Sequence, residues 1–466
     1  MRLTILVPSR DYLSSAGVRI RYGRLEGALH ARGVTLRLEP IATFDPMTHD
    51  CDALLISKCH DARSLLIAAT VSSRGKLVGI DLFDDYFSQS SDSRLFRYRD
   101  WLAEILSGCA YCLCSTEAMA GVAQCFKPGI PTLVVNDPAN DHDIEETLFA
   151  ADRKAEEART RKVIEVAWFG VGDNPYFNVG ITDLYRHSSV LKQLTLGGMA
   201  VELTVLTNRR ALQADALELI ARLPVPSKVI EWSEEAEREV LGRSLIAFLP
   251  VAAQDFSTAK SLNRAFSSLS QGCQILSAGY PLYESLDPLV YRDAELLLAD
   301  LASGCLRFSS AQADCYRQRL ETYGTGRSEA ARVVDFMASL HIPPRRDERR
   351  LCVIHGMSTR AEVHHLARSV GALSVGSPYC SAKLDFDLSF QEPIGAEPSG
   401  DTFSIRPTLS ESVAGRQGEN LPLPYELGTY ASCMESITKI LEQRFGPIRA
   451  IISETSRAPV STLRRR

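Results

Sequence analysis

Short apolar runs alternating with helical patterns, a restart of that alternation after a charged segment, and a proline-rich break at residues 341–350 predict the fold class. It is α/β: two doubly wound, Rossmann-like units at 1–150 and 151–343, then a C-terminal α/β extension at 344–466. Continuous apolar strands separated by helices imply a parallel sheet buried on both faces.

The first unit opens with "LTILVPS" (3–9), a buried strand. An amphipathic helix follows over 18–32, with Val18, Tyr22, Leu25 and Leu29 on one face. Further strands are expected at "TLRLEPI", "DALLISK", "KLVGIDLF", "YCLCS" and "TLVVND", with helices at 61–73, 94–107 and 116–126 between most of them. Residues 138–162 are charged and poor in strand formers, which suits a helix-bearing linker, and Asn136–Asp137–Pro138 reads as a hinge.

Strands "VIEVAWFG", "VELTVLTN", "KVIEW", "LIAFLPV" and "QILSA" then alternate with four helices, enough for a complete doubly wound unit. The fourth of these helices is expected over 258–271, and a last helix over 310–340 is interrupted at "YGTG". "HIPPRRDERR" reads as a linker, because consecutive prolines cannot continue a helix. Beyond it, "LCVIHGM", "ALSVGS", "LDFDLSF" and "IRAIISET" read as strands. Residues 359–370 and "SCMESITKILEQRF" read as helices, and 392–424 as loop.

Composition excludes several classes. The 466 residues carry a net charge of −5, so no global field draws nucleic acid. No apolar run approaches the roughly 20 residues that span a bilayer, and the opening segment breaks at Pro8, Arg10 and Asp11, too early for a signal-peptide core. A cytoplasmic chain able to touch a membrane peripherally is expected. Twelve cysteines include Cys109, Cys112 and Cys114, without a second C-x-x-C pair to complete a zinc site. Free structural thiols are the expectation.

Ligands of open α/β sheets bind at the carboxyl ends of strands. On the expected 258–271 helix, Leu262, Ala265, Phe266 and Leu269 form an apolar stripe. Lys260, Asn263 and Arg264 fall together opposite it, after a strand, with Ser257 or Asp255 as cap and Gly272 as terminator. That arrangement suits an anion, with Lys260 as a point charge and Arg264 as a planar fork; a solvated polar face is the alternative. In "SRDYLSSAGVRIR", Ser14, Ser15 and Gly17 allow close approach to an anion that Arg19 or Arg21 supplements; a tight turn explains them equally. Asp81, Asp84 and Asp85 follow a strand, where they can orient an acceptor hydroxyl, take its proton, steady positive charge on a sugar or cap the next helix. Gly170 and Gly172 form a lone G-x-G loop. Histidines His60, His355, His364 and His365 suggest ordinary hydrogen bonding rather than a metal pair, while "GMSTRAEVHHLA" can alternatively bring a helix start to an anion.

The ordered pieces "VAWFGVGDNPYFNVGITDLYRHSSVLKQL", "VIEWSEEAEREVLGRSLIAFLPV" and "KSLNRAFSSLSQGCQILSAGYPLYESL" resemble the donor half of GT-B glycosyltransferases. The similarity is to the retaining family-four, or "glycosyl transferases group one", type. "AGVRIRYGRLEGALHARGV" and "GKLVGIDLFDDYF" fit an acceptor half. The resemblance implies transfer of a sugar from a nucleotide-diphosphate sugar to a glycan, lipid-linked or protein acceptor. It implies no cofactor and no metal. Lys260, Ser261, Asn263, Arg264, Gly17, Arg19, Gly170, Tyr283 and Glu284 would hold the donor, with Asp84 and Asp85 on the catalytic side. Two departures stand out. Ala259 and Ser267 occupy slots that many relatives fill with acids, and Val171 and Val179 occupy slots usually basic. A GT-B scaffold without catalysis, or another GT-B enzyme such as a sugar-nucleotide epimerase, are the competing readings.

Overall fold

The computed structural model describes residues 1–342 except Met47. Beyond them it describes strands Arg350–Gly356, Leu373–Ser377, Asp387–Gln391, Thr402–Pro407, Asn420–Pro422 and Ile448–Ser453. The first sheet contains β1 (Arg2–Val7), β2 (Thr35–Pro40), β3 (Ala53–Ser57), β4 (Leu77–Leu82), β5 (Tyr111–Cys114) and β6 (Thr132–Val134). Its order is β2-β1-β3-β4-β5-β6, all pairs parallel. The second contains β7 (Val163–Phe169), β8 (Ala200–Thr207), β9 (Ser227–Glu231), β10 (Ile246–Val251), β11 (Gln274–Gly279) and β12 (Val290–Tyr291). It runs β12-β11-β10-β7-β8-β9, again all parallel.

Alternating strand residues divide the core of each sheet between its two faces. Leu6, Leu54, Ile56, Val78 and Ile80 pack on one face of the first sheet, and Ile5, Val7, Leu55 and Leu77 on the other. In the second sheet Val166 and Phe248 pack on one face, Ala167 and Leu249 on the other. Cys112 and Cys114 are buried in β5 as small apolar side chains.

The chain crosses between lobes twice. After β6 it enters the helix Ile144–Arg161, which packs on both cores of the second lobe through Leu148, Ala151, Ala155 and Ala158. Lys154 on that helix is buried and donates to the carbonyls of Leu241 and Gln271, at the ends of two other helices of that lobe. The return crossing follows Tyr323, where Gly324 pairs with Ala139 on the outward path. The helix Gly326–Ser339 then packs on the first lobe: Ala330, Val333 and Met337 join Leu3, Val18 and Leu25. From sequence it belonged with the second unit; its apolar stripe instead covers the first-lobe sheet.

The strand at "LDFDLSF" is present over Asp387–Gln391. The expected loop at 392–424 contains two further strands, and six strands in this region form one mixed sheet. The expected helices at 359–370 and within "SCMESITKILEQRF" lie outside the described residues. Among those described, no helix is long and apolar enough to cross a membrane.

Candidate functional site

Each sheet reverses strand order at one point, and there the connections diverge to opposite faces and leave a crevice. In the second lobe that point lies between β7 and β10; in the first it lies between β1 and β3. The loops at these carboxyl ends face one another across the two lobes.

The expected helix over 258–271 is two helices, Asp255–Thr258 and Asn263–Leu269. Ala259 causes the break: it is buried in the first-lobe core, and its carbonyl accepts from Ser115 and Thr116 of that lobe at 3.2 and 3.4 Å. Those contacts replace continued helical bonding, so Lys260 lies on the break rather than on a helical face. Neither expected cap acts, because Asp255 and Ser257 are inside the first short helix. Gly272 takes a φ of +78° after the second, as a terminator should.

Three polar residues of this segment reach the first lobe. Lys260 pairs with Asp84. Ser261 donates to Asp137 at 2.6 Å, and Asn263 accepts from Arg24 at 3.1 Å. Arg264 differs: its guanidinium has no hydrogen-bond or ion-pair partner among the described residues. It lies against Gly170, directly after β7, where a Cβ would come 3.4 Å from Nη1. A Cβ there would only touch the guanidinium, but the φ of +153° favours glycine.

Asp84 is held from both sides. Lys58, directly after β3, pairs with its second oxygen. The Lys58 ammonium lies 4.3 Å from the Phe83 ring centre, and that of Lys260 lies 3.9 Å from Phe256. Despite burial, the two lysines hold the Asp84 carboxyl well below the usual carboxylate range. Burial lowers Lys58 but Asp84 outweighs it, and the ammonium is raised overall. Lys260 moves the other way: burial, with Lys58 and Arg264 nearby, outweighs Asp84. Asp84 therefore has little affinity for a proton, so of the roles open to it from sequence, proton uptake is the one this environment disfavours.

The remaining predicted residues divide. Asp85 is buried and accepts from the Phe87 and Ser88 N–H groups at 2.9 Å, so it closes a turn. Asp81 lies within β4 rather than after it, paired through two 2.6 Å contacts with buried Arg21 and accepting from Tyr22 at 2.6 Å. Arg21 also donates to Asp137 at 3.1 Å. Gly17 packs beside Tyr12 and Phe83. Arg19 is turned to the second lobe, 2.6 Å from Glu234 and over the Trp232 ring, rather than toward an anion in its own loop. Tyr283 is fully buried with an unpartnered hydroxyl, and Glu284 is exposed. His60 is wedged edge-on against Phe87, Tyr98 and Trp101, and burial, aided by Lys58, pulls it down to about 3.

Sequence reasoning missed Lys58. Its signal is a lysine directly after a wholly buried strand, although only the strand order places it at a crevice. An aromatic cluster also joins the lobes: Tyr86 and Tyr98 of the first meet Tyr176, Phe177 and Phe256 of the second.

Two parallel six-stranded sheets, flanked by helices and facing at their carboxyl ends, define the GT-B fold, as the sequence resemblance implied. Solved structures share it. One described as trehalose-6-phosphate from E. coli, bound with UDP-2-fluoro glucose, matches with a TM-score of 0.50 at 10% identity, covering 73% of this chain and 100% of that one. Anabaena Alr3699/HepE in complex with UDP and glucose gives the same four figures. Its complex with UDP-glucose matches with a TM-score of 0.50 at 11% identity, over the same shares. At such identity the likeness is one of fold. No family model matches the chain, and no curated protein does.

Proposed function

We propose that the chain is a glycosyltransferase using a nucleoside-diphosphate sugar and a hydroxyl acceptor, on a glycan, lipid or protein, with no resident metal. The observation that carries the proposal is Arg264: among the described residues its guanidinium has no hydrogen-bond or ion-pair partner, and it lies beside Gly170 at the crevice of a doubly wound sheet. Bond cleavage between sugar and diphosphate increases negative charge on the leaving group, and fixed cations stabilise that charge selectively in the transition state. Arg264 would grip the diphosphate through its fork, and Lys260, on the same segment, would add a point charge.

Asp84 is already occupied, so the departing phosphate is the proposed acceptor of the hydroxyl proton, which fits retention of configuration. Surface-glycan synthesis at the cytoplasmic face is the setting this reading favours. The neighbours whose descriptions name UDP or UDP-glucose support a nucleotide sugar as ligand.

One observation favours a second reading, a GT-B binding protein without catalysis: both Asp84 oxygens are engaged by lysines. Incubation with UDP-, GDP- and ADP-sugars, with release of free nucleoside diphosphate as readout, separates the two. Release that disappears in Arg264→Ala supports the enzyme. Saturable binding without release, with acceptor mixtures present, supports the scaffold, and absence of any binding refutes both.

A further inference from the structure

Two polar atoms near the same crevice are left without partners. Asp183 is 6% exposed, and its Oδ2 accepts from the Gly180 N–H at 3.3 Å. Its Oδ1 is sealed from solvent with no hydrogen bond. One helical turn further on, the His187 N–H donates to the Asp183 carbonyl at 3.1 Å. The Nε2 of His187 is likewise buried and unpartnered.

Both side chains belong to the connection that leaves β7, the strand at the reversal point. The imidazole lies over Gly279, the last residue of β11, where a Cβ would fall 2.8 Å from Nε2. At Asp183, burial lifts the carboxyl above its ordinary range, against the Gly180 N–H and the charges of Arg186 and Arg264. An unpaired carboxylate oxygen and an unpaired imidazole nitrogen thus lie on the connection that leaves β7, near the ends of β7 and β11, with the Arg264 charge acting on Asp183.

Buried polar groups are nearly always hydrogen-bonded, and leaving one unpaired is costly. Two such atoms on one connection, near an unpaired cation, indicate a ligand that supplies the missing partners. An anion satisfies Arg264 but not Asp183, which repels it. A hydroxyl group satisfies Asp183 by donation and His187 by either role. In a nucleotide sugar, hydroxyl groups flank the diphosphate on both sides, on the ribose and on the sugar.

We propose that Asp183 and His187 bind hydroxyl groups of the nucleotide sugar adjacent to the diphosphate held by Arg264. This rests on the glycosyltransferase reading and names the residues that recognise the polyhydroxyl part of its donor.

The test is calorimetric titration of the full chain with inorganic pyrophosphate, with UDP, GDP and ADP, and with UDP-glucose, GDP-mannose and ADP-glucose. Asp183→Asn keeps the size of the side chain and an oxygen for the Gly180 N–H. It is expected to weaken the preferred nucleotide sugar at least tenfold, while pyrophosphate changes less than threefold. Parallel loss of the nucleoside diphosphate assigns the hydroxyls to ribose; loss confined to the nucleotide sugar assigns them to the transferred sugar. Arg264→Ala should weaken every ligand, pyrophosphate included. Should Asp183→Asn fail to fold, His187→Gln carries the same comparison. A wild-type chain that binds nucleotide sugar, with either variant folded and unchanged in affinity, overturns this assignment alone. A wild-type chain that binds none of the probes overturns the functional reading and this assignment with it.

Discussion

Arg264 and Lys260 are four residues apart, yet their replacement by alanine should have opposite consequences. Among the described residues Arg264 has no partner to lose, and it is only partly buried. Its removal should change stability by no more than about 0.5 kcal/mol, the range of substitutions that touch no structural feature. A charge-assisted hydrogen bond contributes about 1.5–3 kcal/mol, so loss of the guanidinium should weaken a diphosphate ligand by about 10- to 150-fold. Lys260 has a partner in Asp84, with side-chain exposures of 35% and 12%. An exposed pair contributes about 0–1 kcal/mol, whereas breaking a buried one costs about 3–5, so this half-shielded pair should contribute about 1–2. Over a chain of 466 residues, Lys260→Ala should therefore lower the unfolding midpoint by about 1–2 °C, and Arg264→Ala by no more than about 0.5 °C. Thermal unfolding without ligand, followed by titration with the best-binding nucleotide sugar, measures both quantities. An Arg264→Ala protein that melts below Lys260→Ala while keeping full affinity would refute the reasoning, since it would mean that the guanidinium has a structural partner.

Asp81→Ala should be much more damaging, because it leaves the buried Arg21 guanidinium without its main counter-ion and removes the acceptor for Tyr22. With Asp137 as the remaining acidic partner, the expected cost is about 3–5 kcal/mol by chemical denaturation. Asp84 makes the acid limb of stability predictable in sign. Its folded-state pKa is depressed, so its contribution is complete above the unfolded carboxylate value of about 4 and is lost as pH falls through the folded value. Wild type should lose stability below pH 4 more steeply than Asp84→Asn, and parallel curves would contradict the lysine clamp.

Both sheets were legible because a strand buried on both faces leaves a continuous apolar run, and "DALLISK" and "LIAFLPV" became β3 and β10. The donor segment was legible only in part. Lys260, Asn263 and Arg264 fit helical spacing, and nothing local signals that Ala259 will be drawn into another lobe's core. Arg21 escaped for a related reason. The pattern Val18, Tyr22, Leu25, Leu29 describes one helical face, but residues 19–23 form a π-helical turn. The wider turn accommodates Arg21 beside Tyr22 on the buried side, where Asp81 receives both. Lys58 and Asp84, 26 residues apart, meet because β3 and β4 are adjacent, and Lys260 meets them only when the lobes close. Pairings set by tertiary topology leave no periodic trace.

The segment 260–264 connects ligand binding to the position of the lobes. Asn263 holds the first lobe by accepting from Arg24 and Ser261 by donating a neutral hydroxyl to Asp137, whereas Lys260 holds it through a full ion pair with a carboxylate that a diphosphate imitates. An anion on Arg264 that also draws Lys260 must displace Asp84, which leaves that carboxylate paired with Lys58 alone. The ligand's gain at Lys260 is thus reduced by the interlobe contact it breaks, and by linkage the closed arrangement is weakened to the same extent. Arg264 carries no such penalty. The affinity should therefore reside in Arg264, while Lys260 sets how far the lobes part when the site is filled.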